Sequence, residues 1–180
     1  YYIFRFISKP SPLIVFSRLN ELELLNKIFG EVIISEAVYK EVVESGILKD
    51  EFGASLIEEA IQKNKIKVKK LNELFQKRLE ILRKNYRLLD KGEAETIALA
   101  LQEKSKEVLI DERFAREVAI SQGISPKGSL RVLLLAFENK IIDEKEMKNL
   151  LTRITSTDFR IGADILSEFF ELFEDLKKKD

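Results

Sequence analysis

The stretch Val108-Leu109-Ile110-Asp111-Glu112-Arg113 decides the fold of this chain. It begins as a fully apolar run that predicts a strand, the run ends in an acid, and a helix predicted over residues 112–122 follows at once. In an open parallel α/β sheet, ligands bind beyond the carboxyl ends of the strands. Asp111 therefore stands at a candidate binding position.

Strand and helix patterns alternate on both sides of this stretch. Strands are predicted at Ile3–Ser8, Glu31–Ser35, Ile66–Lys70 and Glu107–Asp111, and a short last strand starts near Ile124. Helices are predicted over residues 12–19, 21–29, 36–43, 92–104, 112–122, 128–139, 143–155 and 162–178. The alternation predicts an α/β fold with a parallel sheet of about four or five strands, and residues 47–55 are expected to form a mobile loop.

A chain of 180 residues, 45% of them hydrophobic, fits one globular domain that spans residues 1–180. The C-terminal helices over residues 143–180 are expected to pack on that domain. The last of them has one apolar stripe, made of Ile165, Phe169, Leu172, Phe173 and Leu176. This stripe is predicted to face the domain or a second subunit, which makes a homodimer possible.

The composition excludes several classes of chemistry. The chain has no Cys and no His, so thiolate nucleophiles, Cys-ligated metal sites and imidazole bases are all excluded. Carboxylates remain, and with water they suit Mg²⁺ or Mn²⁺. Apolar runs are shorter than a membrane span and no signal-peptide pattern is present, so we expect a cytoplasmic protein that does not act at a membrane.

The charge is balanced in total but uneven along the chain. Residues 63–91 contain eleven basic and three acidic residues, a net charge of +8. Such a basic segment is typical of a surface that binds a phosphate backbone, although a solvated Lys-rich face would give the same pattern.

Three short segments bring together the polar side chains that could do chemistry: residues 8–12, 89–95 and 110–112. Each lies at a strand end or a helix start. Acids at a helix N-terminus commonly do no more than stabilise the helix dipole, which covers Glu93, Glu95 and Glu112, and Asp111 could serve as an N-cap.

Together, these segments resemble the PIN-domain family, most closely a prokaryotic branch related to VapC-type toxins. The resemblance covers about residues 7–173. It rests on six blocks in order: Ser11-Pro12-Leu13-Ile14, Phe29-Gly30-Glu31-Val32, Ser35-Glu36-Ala37-Val38-Tyr39-Lys40-Glu41-Val42, residues 89–100, Val108-Leu109-Ile110-Asp111-Glu112-Arg113 and Lys127-Gly128-Ser129-Leu130. Residues 92–100 are the most specific part.

The resemblance implies a three-layer α/β/α domain in which acids hold Mg²⁺ or Mn²⁺ for hydrolysis of RNA. Glu93 and Asp111 then match metal-binding catalytic acids, and Ser129 matches a hydroxyl near the site. Related toxins imply a possible antitoxin partner. The family's first acid falls on Lys9 here, which places a cation where a cation must bind.

Two hypotheses follow. In the first, the chain is a metal-dependent endoribonuclease in which RNA is bound by a basic surface. In the second, Lys9 has abolished the metal chemistry and a binding or regulatory domain remains. The candidate nucleic-acid contacts are Lys9, Ser11, Lys69, Lys70, Arg83 and Lys84. A Ser-Lys hydrolase using Ser8 or Ser11 with Lys9 is a weaker third alternative.

Overall fold

The fold is seen in a computed structural model that describes residues 5–48, 52–157 and 159–178. Its strands are β1 (Arg5–Ser8), β2 (Glu31–Ser35), β3 (Ile66–Lys69), β4 (Glu107–Leu109) and β5 (Ser125–Lys127). They form one sheet in the order β3-β2-β1-β4-β5, and every pairing is parallel. The predicted parallel sheet is confirmed.

Helices connect the strands and continue after the last one. In chain order they are α1 (Pro10–Arg18), α2 (Leu22–Phe29), α3 (Glu36–Tyr39), a π-helical turn (Lys40–Glu44), α4 (Ser45–Leu48), α5 (Phe52–Gln62), α6 (Glu73–Asn85), α7 (Lys91–Gln102), α8 (Arg113–Ser121), α9 (Ser129–Glu138), α10 (Glu144–Thr155) and α11 (Ala163–Lys177).

The strand order places a switch point between β1 and β4. From β1 the chain moves outward through β2 to β3, then returns to the other side of β1 for β4 and β5. Ligands of open α/β sheets bind in the crevice beyond the carboxyl ends of the strands at such a point. In this chain those ends lead into Lys9, after β1, and into Asp111 and Glu112, after β4.

Helices cover both faces of the sheet, which confirms the three-layer α/β/α expectation. On one face α7 lies against β1, β2 and β4, with α6 packed on its outer side. The alternating strand residues Ile7, Ile33 and Val108 join this core with the apolar side of α7. On the other face α1 packs on α5, and the rings of Phe6 and Phe29 stack with centroids 3.7 Å apart.

The chain divides into two compact units, the first ending at Gly128 and the second starting at Ser129. Within the second unit α9 contacts both α10 and α11. The rings of Phe137 and Phe173 meet edge to face there, with centroids 5.0 Å apart. The expectation of a single domain with residues 143–180 packed on it stays a prediction.

Several element predictions are corrected. Three helices, α4, α5 and α6, fall in segments for which no helix was predicted. The expected loop over residues 47–55 is helical at residues 47–48 and from Phe52 onward, and residues 49–51 lie outside the described residues. Helix α1 begins at Pro10 rather than Pro12, because proline has the φ of a first helical turn. Residues 3–4 of the first predicted strand also lie outside the described residues.

Candidate functional site: a lysine among carboxylates

Lys9 lies at the junction of β1 and α1. Its backbone N–H donates to the carbonyl of Leu109 at 3.1 Å, which extends the contact between β1 and β4 by one residue. Because Pro10 follows, the backbone of Lys9 is extended, with φ −82° and ψ 164°, and the helix can start only after it. The side chain is thereby placed at the switch point, and Lys9 is only 5% exposed.

The ammonium group of Lys9 is surrounded by acids. Lys9 Nζ lies 2.8 Å from Glu93 Oε1 and 2.8 Å from Glu112 Oε2, and 3.7 Å from Asp90 Oδ2. Glu93 is buried, whereas the side chains of Glu112 and Asp90 are partly open to solvent. Lys9 thus forms ion pairs that connect the end of β1 with the start of α7 and the start of α8.

Glu93 is held in place by the start of its own helix. Asp90 is the N-cap of α7 and accepts the backbone N–H of Glu93 at 2.7 Å. In return, Glu93 Oε2 accepts the backbone N–H of Asp90 at 2.9 Å, which completes a capping box. The other oxygen of Glu93 is then left for Lys9.

Glu112 is positioned in a different way. It is the N-cap residue of α8, yet its side chain makes no capping hydrogen bond. Instead, Glu112 Oε1 accepts the hydroxyl of Ser11 at 2.8 Å, while Oε2 pairs with Lys9. Ser11, a predicted nucleic-acid contact, is therefore engaged with a carboxylate.

The charges of this cluster shift one another's pKa values. Burial alone would lower the pKa of Lys9, but hydrogen bonds to Glu112 and Glu93 outweigh it, and the net pKa is raised. Burial alone would raise the pKa of Glu112, but the contact with Lys9 outweighs it, and the net pKa is lowered. Both groups are consequently charged at neutral pH.

Glu41 also belongs to the cluster and was not predicted from the sequence. Burial, followed by the nearby charge of Asp90, raises the pKa of Glu41, and Lys9 only partly opposes this. Glu41 lies in the π-helical turn after α3, a kind of irregularity that occurs frequently at functional sites. A Cβ atom added at Gly92 would come within 3.2 Å of Glu41 Oε2, so Glu41 lies against the first turn of α7.

The structure places the other two predicted catalytic residues, Asp111 and Ser129, after the end of β4 and at the start of α9. Asp111 is half-buried just after β4, and its Oδ1 lies 3.1 Å from where a Cβ of Gly128 would be. Ser129 is fully buried and begins α9 in the second unit. The expected sharing of one ion or water by Glu93 and Asp111 stays a prediction.

The cluster does not fit a divalent metal ion as it is arranged. Mg²⁺ requires oxygen ligands at about 2.0–2.1 Å in octahedral geometry, and the Lys9 ammonium already contacts the oxygens of Glu93 and Glu112 that such an ion would need. Among residues 5–48, 52–157 and 159–178, no group of three or more acidic side chains is arranged to hold a metal ion.

The basic segment divides into paired and unpaired charges. Lys63, Lys67 and Lys69 form ion pairs with Glu59, Glu31 and Glu103 respectively. The exposed charges without an ion pair in the described part of the chain are Lys65, Lys70, Lys77, Arg78, Arg83, Lys84, Arg87 and Lys91, of which Arg78 donates a hydrogen bond to Gln122. Four nucleic-acid contacts were predicted in this segment: Lys69, Lys70, Arg83 and Lys84. Lys69 is the one of these four that forms an ion pair.

The fold, its switch point and its acid cluster define an open parallel α/β domain with a candidate site beyond the ends of β1 and β4. A family model, DUF3368, described as a PIN domain, matches residues 5–175. The chain belongs to the PIN-domain family. No curated protein and no solved structure matches it. No helix in the described residues has the length and apolar character needed to cross a membrane.

Proposed function

We propose that this PIN domain binds RNA and that Lys9, in place of a metal ion, neutralises its carboxylate cluster. On this proposal the chain is a binding or regulatory domain that does not catalyse metal-dependent hydrolysis. The observation that carries it is the position of the Lys9 ammonium, 2.8 Å from both Glu93 and Glu112. On this proposal the protein acts in the cytoplasm.

The chemistry supports this choice between the two hypotheses. In phosphodiester hydrolysis a metal ion lowers the pKa of a bound water and stabilises charge on the phosphate. An ammonium group carries one charge, coordinates no water and cannot act as a Lewis acid. Two like charges 4 Å apart repel by about 4 kcal/mol at an effective dielectric of 20, so a seated Lys9 strongly disfavours a metal ion beside it.

The RNA-binding part of the proposal rests on exposed charge without a protein partner. Lys70 follows β3, and Arg83 lies in the last turn of α6. Each phosphate neutralised by such a side chain releases counterions, so binding must weaken as salt rises. Ion-paired lysines contribute less, because each must first give up its carboxylate.

A pair of matched variants tests the RNA surface. Lys70→Ala/Arg83→Ala removes two unpaired charges, and Lys63→Ala/Lys67→Ala removes two exposed charges that have carboxylate partners. For single-stranded RNA, the slope of log affinity against log salt should fall by about 0.7 per lost contact, or about 1.4 for the first variant. Equal losses in both variants, or no loss in either, would contradict the proposed surface.

Thermal unfolding with and without Mn²⁺ tests the metal part. Wild-type protein should show no specific stabilisation by Mn²⁺, whereas Lys9→Asp, which replaces the ammonium by a carboxylate, should gain it. Saturation at 100 times the dissociation constant stabilises a binding protein by about 2.7 kcal/mol. Lys9→Met supplies the control, since it removes the charge without adding a ligand.

A second candidate is the Mg²⁺- or Mn²⁺-dependent endoribonuclease, with Glu93 and Asp111 as ligands, Ser129 assisting and an antitoxin as a possible partner. One observation favours it: the carboxylates that act on one another around Lys9 outnumber its single positive charge, and their repulsion contributes to the raised pKa of Glu41. Metal-dependent RNA cleavage by the wild type, abolished by Asp111→Asn and unchanged by Lys9→Asp, would establish this candidate in place of the first.

A further inference from the structure

Helix α6 exposes aliphatic side chains on its outer face. Leu74 is 69% exposed and Ile81 48% exposed, while Leu82, about 100° further round the helix than Ile81, is buried. Leu74 and Ile81 are seven residues apart, so they lie on one face about 10.5 Å from each other. Exposed apolar side chains that cluster on one face mark an interaction surface more often than isolated ones do.

Lysines lie between and beyond these two residues. Lys77 and Lys84 follow Leu74 and Ile81 by three residues each, so the four side chains form one stripe. RNA is a poor occupant for this stripe, because sequence-tolerant nucleic-acid surfaces stack bases on aromatic rings and the stripe has only aliphatic side chains. Its chemistry fits an acidic amphipathic helix.

The chain itself carries such a helix. In α11, Phe169 and Phe173 are buried, while Ile165 and Leu172, seven residues apart, are 41% and 37% exposed. Glu168 and Asp175 follow them by three residues each and are exposed. Asp175 also pairs with Lys178 at the surface, a type of contact that contributes little stability.

The two stripes have the same spacing and opposite charge. Leu74-Lys77-Ile81-Lys84 in α6 and Ile165-Glu168-Leu172-Asp175 in α11 both follow the pattern i, i+3, i+7, i+10. We propose that the α6 stripe of one copy docks on the α11 stripe of a second copy of this chain. In a parallel register, the aliphatic residues pack on one another while both lysines meet a carboxylate, as complementary charges do in paired helices.

Charge reversal tests this docking in the full chain without RNA. Lys77→Glu/Lys84→Glu makes both stripes acidic, and Glu168→Lys/Asp175→Lys makes both basic. Each variant alone should self-associate on the order of tenfold more weakly than the wild type or worse, and an equimolar mixture should restore association because every contact is again matched. Lys27→Glu/Lys106→Glu, which reverses two exposed charges elsewhere, is the matched control.

Sedimentation of nuclease-treated protein measures this self-association and its dependence on salt. Wild-type protein should form dimers or larger species near 50 mM salt that dissociate as salt rises toward about 0.5 M, where charges are screened within a few ångströms. A monomer at all concentrations, association that disappears once RNA is digested, or failure of the mixture to associate would each overturn the docking. The metal and RNA tests of the proposed function change other residues, Lys9, Lys70 and Arg83, so the docking can fail while the proposed function stands, and the reverse.

Discussion

Replacing Lys9 with methionine tests how strongly the buried cation holds the site together. Methionine keeps most of the side-chain volume and removes the charge, so Glu93 and Glu112 lose their shared partner. Removing one member of a buried ion pair costs about 3–5 kcal/mol. Glu93 keeps its hydrogen bond from the Asp90 N–H, and Glu112 is partly solvated, so we expect the lower end, about 3 kcal/mol.

The loss of stability caused by Lys9→Met should depend on pH. Contact with Lys9 lowers the pKa of Glu112, so its contribution to stability is present above the ordinary carboxyl value of 4.5 and is lost as pH falls through the lowered pKa. The pKa of Lys9 is raised, so the contribution of its charge lasts until the pH rises above 10.5. Wild type and variant should therefore differ most near neutral pH and converge in acid.

Urea denaturation followed by circular dichroism at neutral and acidic pH measures both effects. At neutral pH, a loss of about 3 kcal/mol corresponds to about 6–12 °C in Tm for a chain of this size. Lys67→Met is the matched control, because Lys67 forms an exposed ion pair with Glu31 that should contribute less than about 1 kcal/mol. If Lys9→Met costs no more than Lys67→Met, the ion pairs do not stabilise the site and the reasoning fails.

Two further variants probe the surroundings. Glu41→Gln should stabilise the protein at neutral pH, because burial and a neighbouring carboxylate raise the pKa of Glu41 and so penalise its charged form above 4.5. The Tm of this variant is compared with that of the control Glu44→Gln, which changes an exposed carboxylate in the same turn. A Tm below that of the wild type would contradict the prediction. Gly53→Ala should cost about 1–3 kcal/mol in urea denaturation, because the added methyl would overlap the buried Ser17 hydroxyl between α5 and α1. Gly53→Ala/Ser17→Ala should recover part of that loss, and no recovery would refute the overlap.

The sheet was predictable from the sequence because its strands are short, apolar and separated by helical patterns. Helix α6 was missed for a physical reason. It packs on the outside of α7, so Leu82 is its one buried residue, and its two exposed aliphatic residues blur the apolar stripe that would identify a helix. The distinctive Lys9 could be identified from sequence because it departs from the motif around it.

The partners of Lys9 were harder to predict. Glu93 was expected at the site, but Glu112 and Glu41 were assigned to it only by the structure. Whether Asp111 or Glu112 faces Lys9 depends on the turn between β4 and α8, which a strand pattern does not determine. Glu41 approaches through a π-helical turn, and the extra residue in that turn changes the direction of every side chain after it.

A tethered cation and a bound metal ion satisfy the same electrostatic need with different consequences. Carboxylates that converge at a switch point repel one another, and any cation among them relieves the repulsion. A lysine does so at every ionic composition, because its charge is covalently attached and its position is set by Pro10 and the end of β1. The same attachment leaves no coordination site for water or phosphate. On the proposed function, a PIN domain that places Lys9 here keeps the fold of its family and gives up the arrangement on which metal-dependent hydrolysis depends.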